Sequence, residues 1–497
     1  MDEWPLVRLG DHCLKVGSGA TPRGGKSVYV DSGRVALIRS QNIYNDGFSP
    51  SGLAYITDEA AKKLGNVEVQ FHDILLNITG DSVARVCLAP EIYLPARVNQ
   101  HVAIIRPDPN AFDARYLRYF LTSREQQEQL LVIASAGATR NALTKMHIES
   151  LEVPKPELET QIWISSQLEA IDKKIQANQQ INQILEQIAQ AIFNSWFVDF
   201  EPVKAKIAAR QRWHALQPVA ESSSPVCYAD DDLLLPDPET YMNLAAMQAI
   251  SGKDEEQLAQ MQTEQPAEYA ELLATAELFP SAMQESELGE IPVGWTVGKL
   301  EDVAAYGKGR VPVSDLALDT YISTECMVEN KKGVSPAASL PSVDTVPSFS
   351  KNQILVSNIR PYFKKIWFAD HAGGRSPDVL GFEYRGDRGH EFLFNVLYQD
   401  AFFDYMMRTS KGAKKPRGDK RAIMEFELVV PSRQLITHFS QSVSGYYRLA
   451  SFKKGENETL EAIRDLLLPK LLSGELALHK VEESQPELAE TPEPADV

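Results

Sequence analysis

The chain repeats itself at a domain-sized distance. Trp4-Pro5-Leu6-Val7-Arg8-Leu9-Gly10-Asp11 has a counterpart in Gly294-Trp295-Thr296-Val297-Gly298-Lys299-Leu300-Glu301-Asp302, with Leu9 and Leu300 lying 291 positions apart. Asp73-Ile74-Leu75-Leu76-Asn77 returns as Gln353-Ile354-Leu355-Val356-Ser357 at an offset of 280, and the run ending in Pro154 returns as one ending in Pro431 at 277. Three landmarks in one order, with a drifting offset, describe two copies of one module whose loops have diverged. So long a period excludes a short-repeat solenoid. At 497 residues the chain also exceeds what one hydrophobic core organises.

Within a copy, short apolar runs punctuated by glycine and proline read as strands: Val35–Ile38, Ile74–Leu76, Val83–Leu88 and His101–Ile105. A helical run over 113–134 and a strand ending at Pro154 complete it. Residues 157–201 then contain neither glycine nor proline. Apolar residues recur at Ile164, Leu168, Ile171 and Ile175, and resume after a polar skip at Ile181, Ile184, Ile188 and Ala191. A helix of about 40 residues would span roughly 60 Å, more than a compact domain needs, which predicts a spacer or one strand of a coiled coil. The second copy shows Ile436, Phe439, Val443 and Tyr446, then Leu460, Ile463 and Leu467, with a break expected at Lys454-Gly455-Glu456-Asn457. Antiparallel pairing would bury both narrow stripes. Asn178 and Asn182 are then either polar register markers or solvent-facing residues at a stutter. The expected fold is α+β, with two tandem mixed α/β modules, two long antiparallel coiled-coil helices and a pseudo-two-fold internal repeat.

A net charge of −18 taken whole argues against a polyanionic partner, but the acidity is segregated. Residues 221–290 carry a net −15 and residues 481–497 a net −6, leaving +3 on the rest. Basic surfaces are therefore permitted elsewhere. The 214–285 stretch reads as an acidic insert, helical or partly disordered, and 481–497 as a disordered acidic tail. No run approaches the roughly 18 to 20 apolar residues of a membrane span. The opening Met1-Asp2-Glu3-Trp4 lacks the blocks of a signal peptide. Cys13, Cys87, Cys227 and Cys326 are isolated, which suits a reducing cytoplasm and excludes an all-cysteine zinc site.

Catalytic signatures do not accumulate. Ala20-Thr21-Pro22-Arg23-Gly24-Gly25-Lys26-Ser27 fits a relaxed phosphate-loop pattern, yet a strand and turn follow it where a helix is needed. Asp108-Pro109-Asn110-Ala111-Phe112 is better read as a turn than as an amino-methyltransferase loop. There is no HExxH and no GxSxG. Ser195 sits on a predicted helix as a packing or surface residue. No catalytic or metal-ligating residue is assigned.

Binding remains. Lys411, Lys414, Lys415, Arg417, Lys420 and Arg421, threaded by Gly412, Pro416 and Gly418, form a basic loop able to follow a phosphate backbone. Arg360-Pro361-Tyr362-Phe363-Lys364-Lys365 interleaves cations with aromatics on a turn. In the first copy Arg39, Gln41 and Asn42 follow a strand, and Arg140 and Asn141 follow a small-residue run. These side chains make the bidentate contacts that identify guanine or adenine. A basic cluster is equally what an ordinary solvated face looks like; recurrence in two modules adds weight to binding.

Gln190-Ala191-Ile192-Phe193-Asn194-Ser195-Trp196-Phe197-Val198-Asp199-Phe200-Glu201-Pro202-Val203 closely resembles the central segment of specificity subunits of type I restriction–modification enzymes. Gly17–Pro22 with Leu37–Ile43 resembles the opening of their first target-recognition domain, Gly289–Trp295 the entry to the second, and Leu467–Leu476 the close of the distal helix. The likeness covers nearly the whole chain apart from 215–280 and the tail. Gly307-Lys308-Gly309-Arg310-Val311-Pro312 departs from the glycine-threonine-proline form, as do Gly445 and Gly455 within the distal helix.

The resemblance implies a first target-recognition domain at 1–156, a long helix at 157–213, a second recognition domain at 286–432 and a distal helix at 433–480. It implies a non-catalytic cytoplasmic subunit that reads a split double-stranded DNA sequence and binds no cofactor itself. Two modification subunits would bring S-adenosylmethionine, and restriction or translocase subunits would bring ATP and Mg. Leu168, Ile171, Ile175, Ile184, Ile188, Trp196, Phe197, Ile463 and Leu467 are the candidates for helix pairing or partner docking. The competing reading is a stand-alone DNA-binding scaffold of the same fold that recruits no methyltransferase.

Overall fold

A computed structural model describes residues 4–135, 141–216, 237–412 and 414–476. The fold is α+β, with several sheets and helices, and it divides into two units: residues 1–178 with 455–497, and residues 179–454. No helix among the described residues is long and apolar enough to cross a membrane.

In the first unit Ile74–Asn77 is an inner strand of an antiparallel sheet ordered Val86–Leu88, Ile74–Asn77, Val102–Pro107, Cys13–Ser18. Side chains alternate between the two faces of a strand. Ile74 and Leu76 enter one hydrophobic cluster with Tyr116 and Leu117, while Leu75 enters another with Leu37 and Ile104. Covered on both faces, the strand is apolar from Ile74 to Leu76. The second sheet runs Tyr29–Val30, Ala54–Ile56, Val35–Ile38, Ala96–Val98, Glu68–Val69, with Val35–Ile38 and Ala96–Val98 parallel. Leu6–Arg8 pairs with Glu152–Pro154, so the two ends of the module meet. Only a single 3-10 turn, Gly25–Val28, follows the glycine loop, and the strand Tyr29–Val30 comes next.

The second unit repeats the order of the first sheet and part of the second. Its first sheet is ordered Ile366–Phe368, Ile354–Ser357, Val379–Tyr384, Ala304–Tyr306. Its second runs Arg310–Pro312, Thr345–Phe349, Gly373–Arg375, Tyr321–Ile322, again with one parallel pair, between Tyr321–Ile322 and Gly373–Arg375. Thr296–Lys299 pairs with Glu427–Val430 as Leu6–Arg8 does with Glu152–Pro154. The helical run expected over 113–134 is two helices, Ala114–Thr122 and Arg124–Ser135, because Ser123 is extended (φ −60, ψ 151). His390–Tyr398 and Asp400–Arg408 break the same way at Gln399 (φ −64, ψ 143).

The two long helices are Leu158–Phe197, termed proximal, and Arg433–Ser473, termed distal. The distal helix continues through Gly445 and Gly455, correcting the break expected at 454–457. A helical glycine costs only about 1 kcal/mol, which a helix of 41 residues tolerates. The proximal helix is shorter than the 157–213 segment: Phe200 adopts φ +54, and a separate helix, Glu201–Leu216, follows.

Burial on the proximal helix falls at Gln161, Leu168, Ile175, Ala189 and Trp196, spaced by multiples of seven, and also at Ile164, Asn178, Leu185 and Phe193. Ile184 is 54% exposed, and Ile181 and Ile188 are exposed beside it. The stripe expected through these isoleucines is thus displaced. Leu185 and Ala189 continue the buried face, and a one-residue shift turns a side chain about 100° around a helix. Ile171 is half-buried. On the distal helix Ile436, Val443, Asn457 and Leu471 are buried and Leu467 half-buried, whereas Ile463 is 42% exposed. Its neighbour Arg464 points inward in its place and pairs with Asp172 at 3.2 Å.

In the first unit Asn178 Nδ2 donates to Asn457 Oδ1 at 2.8 Å and to Glu456 Oε2 at 3.0 Å, and Asn457 Nδ2 donates to the Ile175 carbonyl. Asn178 is therefore an interior polar residue, and Asn182 is half-buried. In the second unit Phe193, Trp196 and Phe197 enter a core with Phe392, Leu435 and Phe439, with Phe197 ring centroids 5.1 Å from Phe392 and 5.2 Å from Phe439. Close backbone approach between the long helices is sparse, so side chains make these links.

The acidic insert contains Pro238–Ser251, Glu255–Glu264 and Pro266–Glu277, started by Asp237, Asp254 and Pro266 and sharing a small core of Ala246, Met247, Leu258 and Ala276. Lys206, on Glu201–Leu216, is buried and donates to the Phe279 carbonyl at 2.7 Å; burial lowers its pKa to about 8. Residues 217–236 and the acidic tail lie outside the described residues.

Candidate nucleic-acid interface

Each module carries the same two-loop platform beyond its inner strand. In the first, Asn77 N donates to Arg85 O and Ala84 N to Asn77 O, both at 2.9 Å, closing the loop between them. A second segment crosses that loop: Gly80 N donates to Asn141 O at 3.4 Å and Leu143 N to Ile78 O at 2.9 Å. In the second module Ser357 N donates to Lys365 O at 3.1 Å, Arg360 N to Pro416 O at 2.8 Å and Gly418 N to Asn358 O at 3.1 Å. The residue preceding each closing cation has a positive φ, +71 at Ala84 and +48 at Lys364. Backbone held in this region is strained for a side chain other than glycine, and such strain clusters at functional sites.

In the second module the platform joins the two basic segments read from the sequence. Lys411 and Arg417 form an antiparallel bridge, and Arg417 also bridges to Ile359. Much of the charge is internally matched. Lys411 meets Asp419 at 2.7 Å, Arg417 meets Asp378 at 2.5 Å, and Lys364 shares Asp400 with Lys331 at 2.9 and 2.7 Å. Hydrogen bonds from Lys331 and then Lys364 hold the Asp400 carboxyl below the usual carboxylate range, and one from Lys411 does the same for Asp419. Lys365 Nζ donates to the Thr324 carbonyl at 3.0 Å. Lys414 and Lys415 are exposed and have no ion pair among the described residues. Tyr362 is 47% exposed, its ring 4.6 Å from Phe363, and the Arg360 guanidinium lies 6.0 Å from that same Phe363 ring.

In the first module the expected residues separate. Asn42 is fully buried; it accepts from Arg39 N at 3.1 Å and donates to the Ser49 and Ser51 carbonyls at 2.9 and 3.2 Å. Its amide therefore holds the loop and has no face left for a base, which corrects its assignment as a reader. Arg39 and Gln41 both donate to the Gly52 carbonyl, at 2.5 and 3.2 Å. Arg140 lies outside the described residues. Gln41 and Asn141 are brought together in an open cleft of about 580 Å³, lined also by Tyr44, Asp81, Ser82, Arg85 and His101. Thr79 Oγ1 and His101 Nδ1 are hydrogen-bonded there at 2.6 Å. Sequence reading missed Tyr44, Arg85 and His101. The 280-residue offset that aligns Ile74 with Ile354 sets Arg85 against Lys365 when carried further along the chain.

A family model for the type I restriction modification DNA specificity domain matches residues 1–187. The HindI type I restriction enzyme specificity subunit of Haemophilus influenzae is 30% identical over 501 residues, covering 96% of this chain and all of that protein. The MjaIX type I restriction enzyme specificity subunit of Methanocaldococcus jannaschii is 28% identical over 204 residues, 41% of this chain and 45% of that one. A solved S subunit of a type I restriction–modification system from M. genitalium covers 94% of this chain and 96% of its own, at 15% identity and a TM-score of 0.47. With a 30% identical relative matched along its entire length, the chain belongs to the family of type I restriction–modification specificity subunits.

Proposed function

We propose that the chain is the DNA sequence-specificity subunit of a type I restriction–modification complex, each module reading one half of a bipartite double-stranded target. The observation that carries this reading is the duplicated platform, in which equivalent loops of both modules are joined by equivalent backbone hydrogen bonds and lined by cations, amides and aromatics. The chain supplies the address. Two modification subunits methylate with S-adenosylmethionine, and restriction subunits use ATP and Mg to translocate and cleave.

The long helices serve as an antiparallel spacer and docking stem. Asp172 meets Arg464, Asn178 meets Asn457 and Trp196 meets Phe439, so advancing along one helix retreats along the other. This order supports antiparallel pairing, with Leu168, Ile175, Trp196 and Phe197 turned inward. Exposed Ile184 and Ile188 offer an apolar strip for the modification subunits.

Methylome sequencing of cells with and without this chain, in the presence of its modification subunits, tests the reading. Methylation of one split sequence that disappears with the chain is expected. An unchanged methylome would overturn it.

A further inference from the structure

We propose that Arg85 reads a guanine in the half-site bound by the first module; this rests on the DNA-reading function above. Arg85 is held from three sides. The loop behind it closes on Asn77, with Ala84 at φ +71. Asn45 Oδ1 accepts from Val86 N at 2.9 Å, Asn45 Nδ2 donates to Gln127 Oε1 at 3.0 Å, and Gln127 Nε2 donates to the Ala84 carbonyl at 2.9 Å. The guanidinium itself lies over the Tyr44 ring, 4.8 Å from its centroid. Among the described residues it makes no hydrogen bond or ion pair, so its planar fork of donors remains available within the cleft.

An arginine stacked by its face presents its edge. That edge matches the O6 and N7 acceptors of guanine in the major groove. The surroundings favour a base over a phosphate. Asp81 lines the same cleft and would repel a phosphate, yet its carboxylate suits the amino group of a paired cytosine. The other lining side chains include the amides and hydroxyls of Gln41, Asn141, Thr79 and Ser82 and the His101 imidazole bonded to Thr79, with no second lysine or arginine among the described residues. At the equivalent position of the second module the Lys365 ammonium is occupied by the Thr324 carbonyl. At this aligned position the stacked arginine fork thus belongs to the first module, a lysine standing in its place in the second.

The test selects bound sequences from a random pool with the assembled specificity and modification subunits, comparing wild type with Arg85→Ala and Arg85→Lys. Both variants are expected to lose preference for one guanine in one half-site, by about ten- to a hundredfold, with the other half-site unchanged. Replacing that guanine with 7-deazaguanine should weaken wild-type binding comparably, a readout independent of whether the variants fold. Uniform weakening of all sequences by Arg85→Ala would make Arg85 a phosphate contact and overturn the proposal. Retained preference in Arg85→Lys would also overturn it, since a point charge would then suffice. A wild-type complex that selects no split sequence would instead overturn the wider function.

Discussion

At the scale of single residues, free and matched charges separate the roles of the basic loop. Lys411 and Arg417 are held by carboxylates, while Lys414 and Lys415 face solvent. Replacing both free lysines with alanine should weaken DNA binding and reduce the slope of log affinity against log salt by about two. A salt titration that superimposes on wild type would move them off the interface. Glu186 offers a prediction in pH. Burial near Tyr398 and Tyr447 pushes its carboxyl up to about 7 from the usual 4.5. The folded chain then keeps a proton that the unfolded chain releases, so stability falls as pH rises from about 4.5 to 7 and stays lower above that. Glu186→Gln should melt higher than wild type at pH 8 and nearly together with it at pH 4.5, the difference bounded at about 3 kcal/mol. Equal melting temperatures at both pH values would refute this. The lysine loops were legible because composition is local. Asn42 was misread because what occupies its amide is the backbone of residues 49–51, which no local pattern reveals.

Among elements, the strands and long helices were legible in period, and their buried faces less so. Ile74–Asn77 and Ile354–Ser357 were found because both faces of each are apolar. The proximal stripe was followed through Ile181, Ile184 and Ile188 because isoleucine marks hydrophobicity, whereas the buried face runs through Asn178 and Ala189. A polar or small interior residue is invisible to apolar periodicity. Asn178 and Asn457 test this face directly. Either single change to leucine should destabilise by about 1–3 kcal/mol, because the other amide stays buried without its partner. The double change should recover much of that loss while loosening helix register, as removal of a buried asparagine does in coiled coils. Chemical denaturation of the four chains gives the coupling. Strictly additive costs would show that the two amides act independently.

For the whole molecule, duplication was legible at a distance of nearly 300 residues because strand cores tolerate little change while loops drift. The same duplication permits a prediction that neither module could support alone. The chain passes from one unit to the other within the proximal helix and returns within the distal helix. If those helices set the gap between half-sites, their length is a sequence-independent ruler. Seven residues inserted after Ile181 and seven before Lys454 keep the heptad phase of both stripes. They add roughly 10 Å of helix at about 1.5 Å per residue, or about three base pairs at 3.4 Å each. Methylated sites from that variant should keep both half-sites and widen the gap by about three base pairs. Inserting the heptad into the proximal helix alone shifts Asn178 away from Asn457, or Trp196 away from Phe439, and should abolish methylation. An unchanged gap in the doubly extended chain would mean that something other than these helices measures the DNA.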